Sequence, residues 1–228
     1  MNNRFVKLLQ DPKMTLIMSL PSNDPVLARA AWQNGADVLK VHINVEHRAS
    51  KTTFYNFERE KDQLNIILAE AKGPCGIVLG GDVQSARNDF KHVVQAGFEF
   101  VSLYVHHTPI IVLQSESLAK MIAIDYSYTL DDIKAFNSIG IDVLEASIVK
   151  PQAYGQSLTA KDLLQYHTIC YGTDIPVVVP TQKAILPEEV SALCQCGVAG
   201  IMLGAVVTGK TADSIARSVA EFRNQIDK

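Results

Sequence analysis

Polar residues recur two apart near the ends of short apolar runs. Lys40 and His42 stand in DVLKVHI, Ser102, Tyr104 and His106 in FVSLYVH, Asp125 and Ser127 just after MIAI, and Glu145 and Ser147 in DVLEASI. In a strand that spacing sends each set to one face, while Leu39, Val41, Ile43, Val101, Leu103 and Val105 take the other. Converged on one cavity, such residues do acid/base chemistry: Glu145 and Asp125 move protons, and His42 and His106 supply imidazole nitrogens. Lys40 has two uses, as a fixed cation beside an anionic intermediate or as an imine-forming amine, with Lys150 as the alternative imine former. Carboxylates on neighbouring strands favour the cation. Asp82, after GIVLGG, is a less secure member of the same set. The plainer alternative is a Lys40–Glu145 or Lys40–Asp125 ion pair that only fills the interior.

A second signal is GAVVTGKT (204–211), which spells the phosphate-loop pattern G-x-x-x-x-G-K-[ST]. A nucleotide hydrolase needs further strands beside that loop, one of them carrying a metal-binding acid, yet only 17 residues follow Thr211. The loop reads better as a compact phosphate site after a final strand, built from Gly204, Ala205 and Thr208, with Thr181 and Lys183 from the preceding strand end.

These residues need a scaffold. Eight apolar runs, at 15–20, 37–43, 75–80, 100–106, 121–125, 142–148, 176–180 and 200–204, alternate with amphipathic stretches, several of them closed by glycine. The weakest helix lies around PIIVLQSESL. Strand and helix alternate across 228 residues with no linker or composition break, which predicts a single (β/α)8 barrel domain over 1–228. In such a barrel the chemistry sits at the C-terminal ends of the strands. The long connections 45–57 and 149–159 lie on that face and carry cations, hydroxyls and aromatics suited to closing over a ligand. His47, His92, His107 and His167 have no partner by spacing and read as ordinary residues.

Net charge is −3 without a basic stripe, so no nucleic-acid partner is expected. No apolar run reaches the length of a membrane span or a signal segment, so no membrane partner is expected and a cytoplasmic location is. Cys75, Cys170, Cys194 and Cys196 lack metal-type spacing and read as reduced thiols; no metal and no cofactor are expected. The apolar PIIVL (109–113) predicts a homodimer.

The run IAIDYSYTLDDIKAFNSIGIDVLEASI, with IPVVVPTQKAILPEEVSALCQCGVAGIMLGAVVTGKTADSIARSVAEF, resembles the second half of N-acetylmannosamine-6-phosphate 2-epimerases, within the ribulose-phosphate-binding TIM barrels. The likeness covers roughly 120–222, lies in the order and spacing of strands, and implies a phosphorylated sugar as substrate. The family's catalytic Lys and Glu are not matched: Leu79 and Gly80 stand at the third strand and Pro180 at the seventh. ADVLKVHINV is also similar to the metal-binding segment of ribulose-phosphate 3-epimerases, with His42 at the matching histidine, but Asn44 replaces its aspartate. The expected function is therefore isomerase, epimerase or lyase chemistry on a small phosphorylated metabolite. The alternatives are a class I aldolase using Lys40 or Lys150 and a non-catalytic barrel that senses a phosphorylated ligand.

Overall fold

A computed structural model of the chain describes residues 3–136 and 138–228. Its elements begin with α1 (Arg4–Leu9), β1 (Thr15–Ser19), α2 (Pro25–Gln33), β2 (Val38–His42), β3 (Val45–His47), β4 (Thr52–Phe54), α3 (Phe57–Ala69), β5 (Cys75–Val78) and α4 (Val83–Ala96). There follow β6 (Phe100–Tyr104), α5 (Ile110–Leu113), β7 (Ala119–Ile124), α6 (Leu130–Phe136), β8 (Val143–Ala146) and α7 (Ala160–Tyr171). The chain ends with β9 (Val177–Pro180), α8 (Val190–Gln195), β10 (Gly200–Leu203), α9 (Ala205–Thr208) and α10 (Ala212–Ile226).

Eight strands close into a parallel barrel in the order β1-β10-β9-β8-β7-β6-β5-β2, while β3 and β4 form a separate antiparallel hairpin. Each of the eight runs expected from the sequence is a barrel strand. Period-2 alternation divides the core as expected. Leu39, Val41, Val101, Leu103, Leu144 and Ala146 pack in the layer beneath the helices. Val38, Phe100, Met121, Val143, Val178 and Met202 fill the barrel interior. Both layers are apolar because parallel strands are covered on both faces.

The helix boundaries follow local chemistry. Asp24, Asn56, Asp82 and Thr159 cap the N-termini of α2, α3, α4 and α7 with side-chain oxygens, satisfying amides that have no partner within the helix. The connection around PIIVLQSESL holds the single turn α5, which ends at Leu113. α1 was not apparent in the sequence pattern. It plugs the N-terminal end of the barrel, where the Phe5 ring stacks on Phe100 at 3.9 Å between centroids. Such a pair adds about 1 kcal/mol beyond its buried area. Gly76 makes room for the plug: a Cβ there would meet the Phe100 ring at 2.2 Å. Phe5 and Leu9 thus fill that end of the barrel interior.

Three placements differ from expectation. β6 ends at Tyr104, and Val105–His107 turn into a 3-10 helix, so Val105 is exposed rather than packed under a helix. Asp82 leaves the barrel axis altogether. Its carboxylate accepts from Ser85 N at 2.9 Å and from the Ser85 hydroxyl at 2.7 Å, capping α4 on the surface. Ser127 lies in an exposed turn beyond β7, where its hydroxyl donates to Asp125 at 2.5 Å. No described helix is long and apolar enough to cross a membrane.

Candidate active site

The floor of the site is a buried polar cluster at the C-terminal ends of β2, β6 and β8. Lys40 Nζ lies 3.3 Å from Glu145 Oε2, both side chains more than nine-tenths buried. Ser102 Oγ donates to the same oxygen at 3.0 Å, and Ser147 Oγ donates to Glu145 Oε1 at 2.8 Å. The carboxylate thus has three donors, which is what allows a charge to persist inside an apolar barrel. Above it opens a cavity of about 430 Å³, lined among others by Lys40, His42, Tyr104, Asp125 and Glu145. That volume suits a small metabolite.

Beside the cluster, β1 and β2 supply a second pair. Ser19 Oγ is 3.4 Å from His42 Nε2. The His42 backbone is pinned by Asn23, whose Nδ2 donates to its carbonyl at 2.7 Å and whose Oδ1 accepts from its amide at 3.2 Å. His42 packs against His47 and Phe54, with ring centroids 4.7 and 4.8 Å away. Burial, then the nearby His47 and Lys40, push the His42 imidazole well below its ordinary value. Burial and Lys40 lower His47 to about 4, against the pull of Glu145. Both rings are neutral at physiological pH. His42 Nδ1 has no hydrogen-bond partner among the described residues, a state far cheaper for a lone pair than for an N–H. This favours the tautomer with the proton on Nε2, facing Ser19. His47, read from sequence as an ordinary residue, belongs to the lining.

The two long connections form the upper walls. In the first, Asn44 adopts a left-handed conformation (φ 54°) as the chain leaves β2, and its Nδ2 donates to Asp89 Oδ2 at 2.7 Å and to the Leu79 carbonyl at 3.1 Å. Phe57 N donates to the same Asp89 oxygen at 3.1 Å, so one carboxylate on α4 anchors both ends of the hairpin excursion. At its tip Arg48 lies over the Tyr154 ring, 5.6 Å from the centroid. Tyr154 belongs to the second connection, and its hydroxyl accepts from Gln182 Nε2 at 2.6 Å. Sequence reasoning pointed to these connections as a whole but not to Arg48, Tyr154 or Gln182, which carry no motif.

The rim holds the remaining titratable residues. His106 and His107 both line the opening, with the His106 ring stacked against Tyr104 at 5.5 Å. The 3-10 turn places His106 there, not strand parity. Burial pushes the Tyr104 phenol upward, with Tyr154 and Glu145 adding to the shift. The Ser127 hydroxyl, followed by its amide, holds the Asp125 carboxyl below its usual range. Asp125 is therefore an ionised rim residue, and Glu145, not Asp125, pairs with Lys40.

The residues expected to bind phosphate divide. Thr181 and Gly204 line the cavity, and Thr181 Oγ1 accepts from Gly204 N at 2.9 Å. Ala205 opens the single turn α9 beside them. Thr208 and Lys183 lie outside that lining. The Thr208 hydroxyl is fully buried and closes the α9 turn, 3.2 Å from the Gly204 carbonyl and 3.0 Å from that of Gly209. Lys183 points instead toward the start of α7, with Nζ 3.5 Å from Asp162. Lys210 is exposed and Thr211 caps α10, and neither lines the cavity. Among the described residues, no group of three or more His, Cys, Asp or Glu side chains could hold a metal ion.

A closed eight-stranded parallel barrel with helices between its strands, its polar cluster at the strand C-termini, defines a TIM barrel. Solved structures share that architecture. A tryptophan synthase structure from Mycobacterium tuberculosis superposes with a TM-score of 0.74 at 12% identity, covering 98% of each chain. The tryptophan synthase alpha-subunit of Pyrococcus furiosus gives 0.70 at 11% identity, over 94% of this chain and 98% of that one. A fructose-1,6-biphosphate aldolase candidate from Coccidioides immitis gives 0.67 at 12% identity, over 99% and 96%. At such identities the likeness is one of fold. No sequence family and no curated protein matches the chain.

Proposed function

We propose that the protein is an enzyme, a lyase or isomerase, that acts on a small phosphorylated sugar or related metabolite at the C-terminal mouth of the barrel. The observation that carries this reading is the buried Lys40–Glu145 pair, held by Ser102 and Ser147 directly beneath a cavity of metabolite size. That the pair lines an open cavity supports a chemical use over simple filling of the interior.

In this reading Glu145 takes a proton from the carbon next to a substrate carbonyl, and Lys40 stabilises the negative charge that develops on the carbonyl oxygen. The same pair serves carbon–carbon cleavage, where the leaving carbanion has the same enolate character. Ser102 and Ser147 fix the carboxylate, so its direction of attack is set before substrate arrives. Neutral His42 and Ser19 offer hydrogen bonds to substrate oxygens without adding charge.

The test is a turnover screen over triose, pentose and hexose phosphates, read by proton exchange with deuterated water as well as by product. Glu145→Gln should lower kcat by about 10²- to 10⁴-fold in a folded protein. Unchanged turnover in Glu145→Gln would remove Glu145 from the chemistry. Stabilisation by these phosphates without turnover of any would instead assign a sensing barrel.

A further inference from the structure

We propose that Arg48, at the tip of the β3–β4 hairpin, binds the anionic group of the substrate, so that this group sits under the hairpin and not against the loop after β10. The inference rests on the phosphorylated-substrate reading above and specifies where the phosphate goes.

Four observations converge. Among the described residues lining the cavity, Lys40 and Arg48 are the two that bear Lys or Arg cations, and Lys40 sits against Glu145 at the reacting end of the cavity. No carboxylate lies within ion-pair distance of Arg48 among the described residues, so its guanidinium keeps its charge for a ligand. The ends of β9 and β10 put no cation into the lining, since Lys183 after β9 faces Asp162 and Lys210 after β10 is exposed outside it. There the Gly204 amide is already bonded to Thr181.

The fourth observation is support. Arg48 rests over the Tyr154 ring. Gln182 holds that phenol, and its own Oε1 accepts from Val149 N at 3.0 Å. The hairpin base is fixed through Asn44 and Asp89. An exposed arginine ordinarily samples many rotamers; this one is placed by a chain of contacts reaching three connections. A planar guanidinium so held suits bidentate recognition of phosphate. The substrate then spans the cavity, with its anionic group at the hairpin and its reacting carbon at Glu145. That geometry selects small sugar phosphates whose phosphate and reacting carbon lie at opposite ends.

The experiment titrates inorganic phosphate and glycerol 3-phosphate into wild type, Arg48→Gln, Arg48→Lys and Lys210→Ala, by calorimetry and thermal shift. Arg48→Gln should weaken both probes about tenfold to a hundredfold, the range of a charge-assisted contact, with Arg48→Lys between it and wild type. Lys210→Ala should match wild type. Because Arg48 is exposed, its replacement leaves the fold intact, as an unchanged melting temperature without ligand will show. Equal affinity in wild type and Arg48→Gln overturns this inference while leaving the phosphorylated-substrate reading in place, as does a loss in Lys210→Ala. Absence of binding to wild type overturns both.

Discussion

Lys40 Nζ stands 3.3 Å from Glu145 Oε2 across the full width of the barrel, because β2 and β8 are four strands apart whichever way the wall is followed. The pair therefore ties opposite sides of the sheet together at its C-terminal end. Lys40→Met leaves a buried carboxylate without its cation and should destabilise by about 3 to 5 kcal/mol. Lys40→Met combined with Glu145→Leu should recover most of that loss. Urea denaturation of the two single variants and the double variant measures the coupling; strictly additive effects would show that the ions do not depend on each other.

Borohydride trapping with candidate aldehydes and ketones, followed by peptide mapping, should leave Lys40 unmodified. An ammonium held against Glu145 is a poor nucleophile. An adduct on Lys40 would turn the assignment to a class I aldolase. One on Lys150, whose ammonium lies 5.9 Å from the Tyr126 ring centroid, would do the same and move the chemistry to the rim.

Mg-ATP and Mg-GTP should bind far more weakly than compact monophosphates. Lys210 is exposed and the Thr211 hydroxyl accepts from Ser214 N at 3.2 Å, so neither is set to hold a nucleotide and its metal. Tight Mg-ATP binding abolished by Lys210→Ala would show a working nucleotide loop.

Stability should fall as pH drops from about 6.5 toward 4. His47 titrates at about 4 in the fold against an ordinary 6.5, so between those values the unfolded chain binds the extra proton. Its contribution is complete above 6.5 and lost on the way down to 4; His42, lowered by burial, acts in the same direction. After allowance for partial solvent screening, the loss by pH 5 is about 1 to 2 kcal/mol. Urea midpoints at pH 7 and pH 5 read it, and His47→Gln should flatten the difference. A wild-type midpoint that does not move would contradict the assignment.

Ile110 and Ile111 are 62% and 51% exposed on the single turn α5, while Val112 beside them is buried. We expect this surface to be covered in a homodimer. Sedimentation should show a dimer for wild type and a monomer for Ile110→Lys combined with Ile111→Lys. A wild-type protein that stays monomeric at high concentration would leave the patch as plain surface.

Strand parity is a local property, and for that reason it could be read without coordinates. Wherever a side chain lies within a strand, as Lys40, His42, Ser102 and Glu145 do, its neighbours two residues away fix the face it takes. The same locality supplied the eight strands and the amphipathic stretches that became the helices capped by Asp24 and Asn56. It fails once the chain leaves the strand. Thr208 and Lys183 were expected at the phosphate because they neighbour Gly204 and Thr181 in sequence, but in a turn no period sets direction, and each found a nearer partner. Asp82 turned outward to cap a helix for the same reason. Whether Lys40 would meet Glu145 or Asp125 depended on how far each side chain reaches across the closed barrel, a distance set by all eight strands together. The meeting of Arg48 with Tyr154 joins connections about a hundred residues apart in the chain. No local spacing encodes it, because the two are brought together only when packing against the barrel fixes both loops.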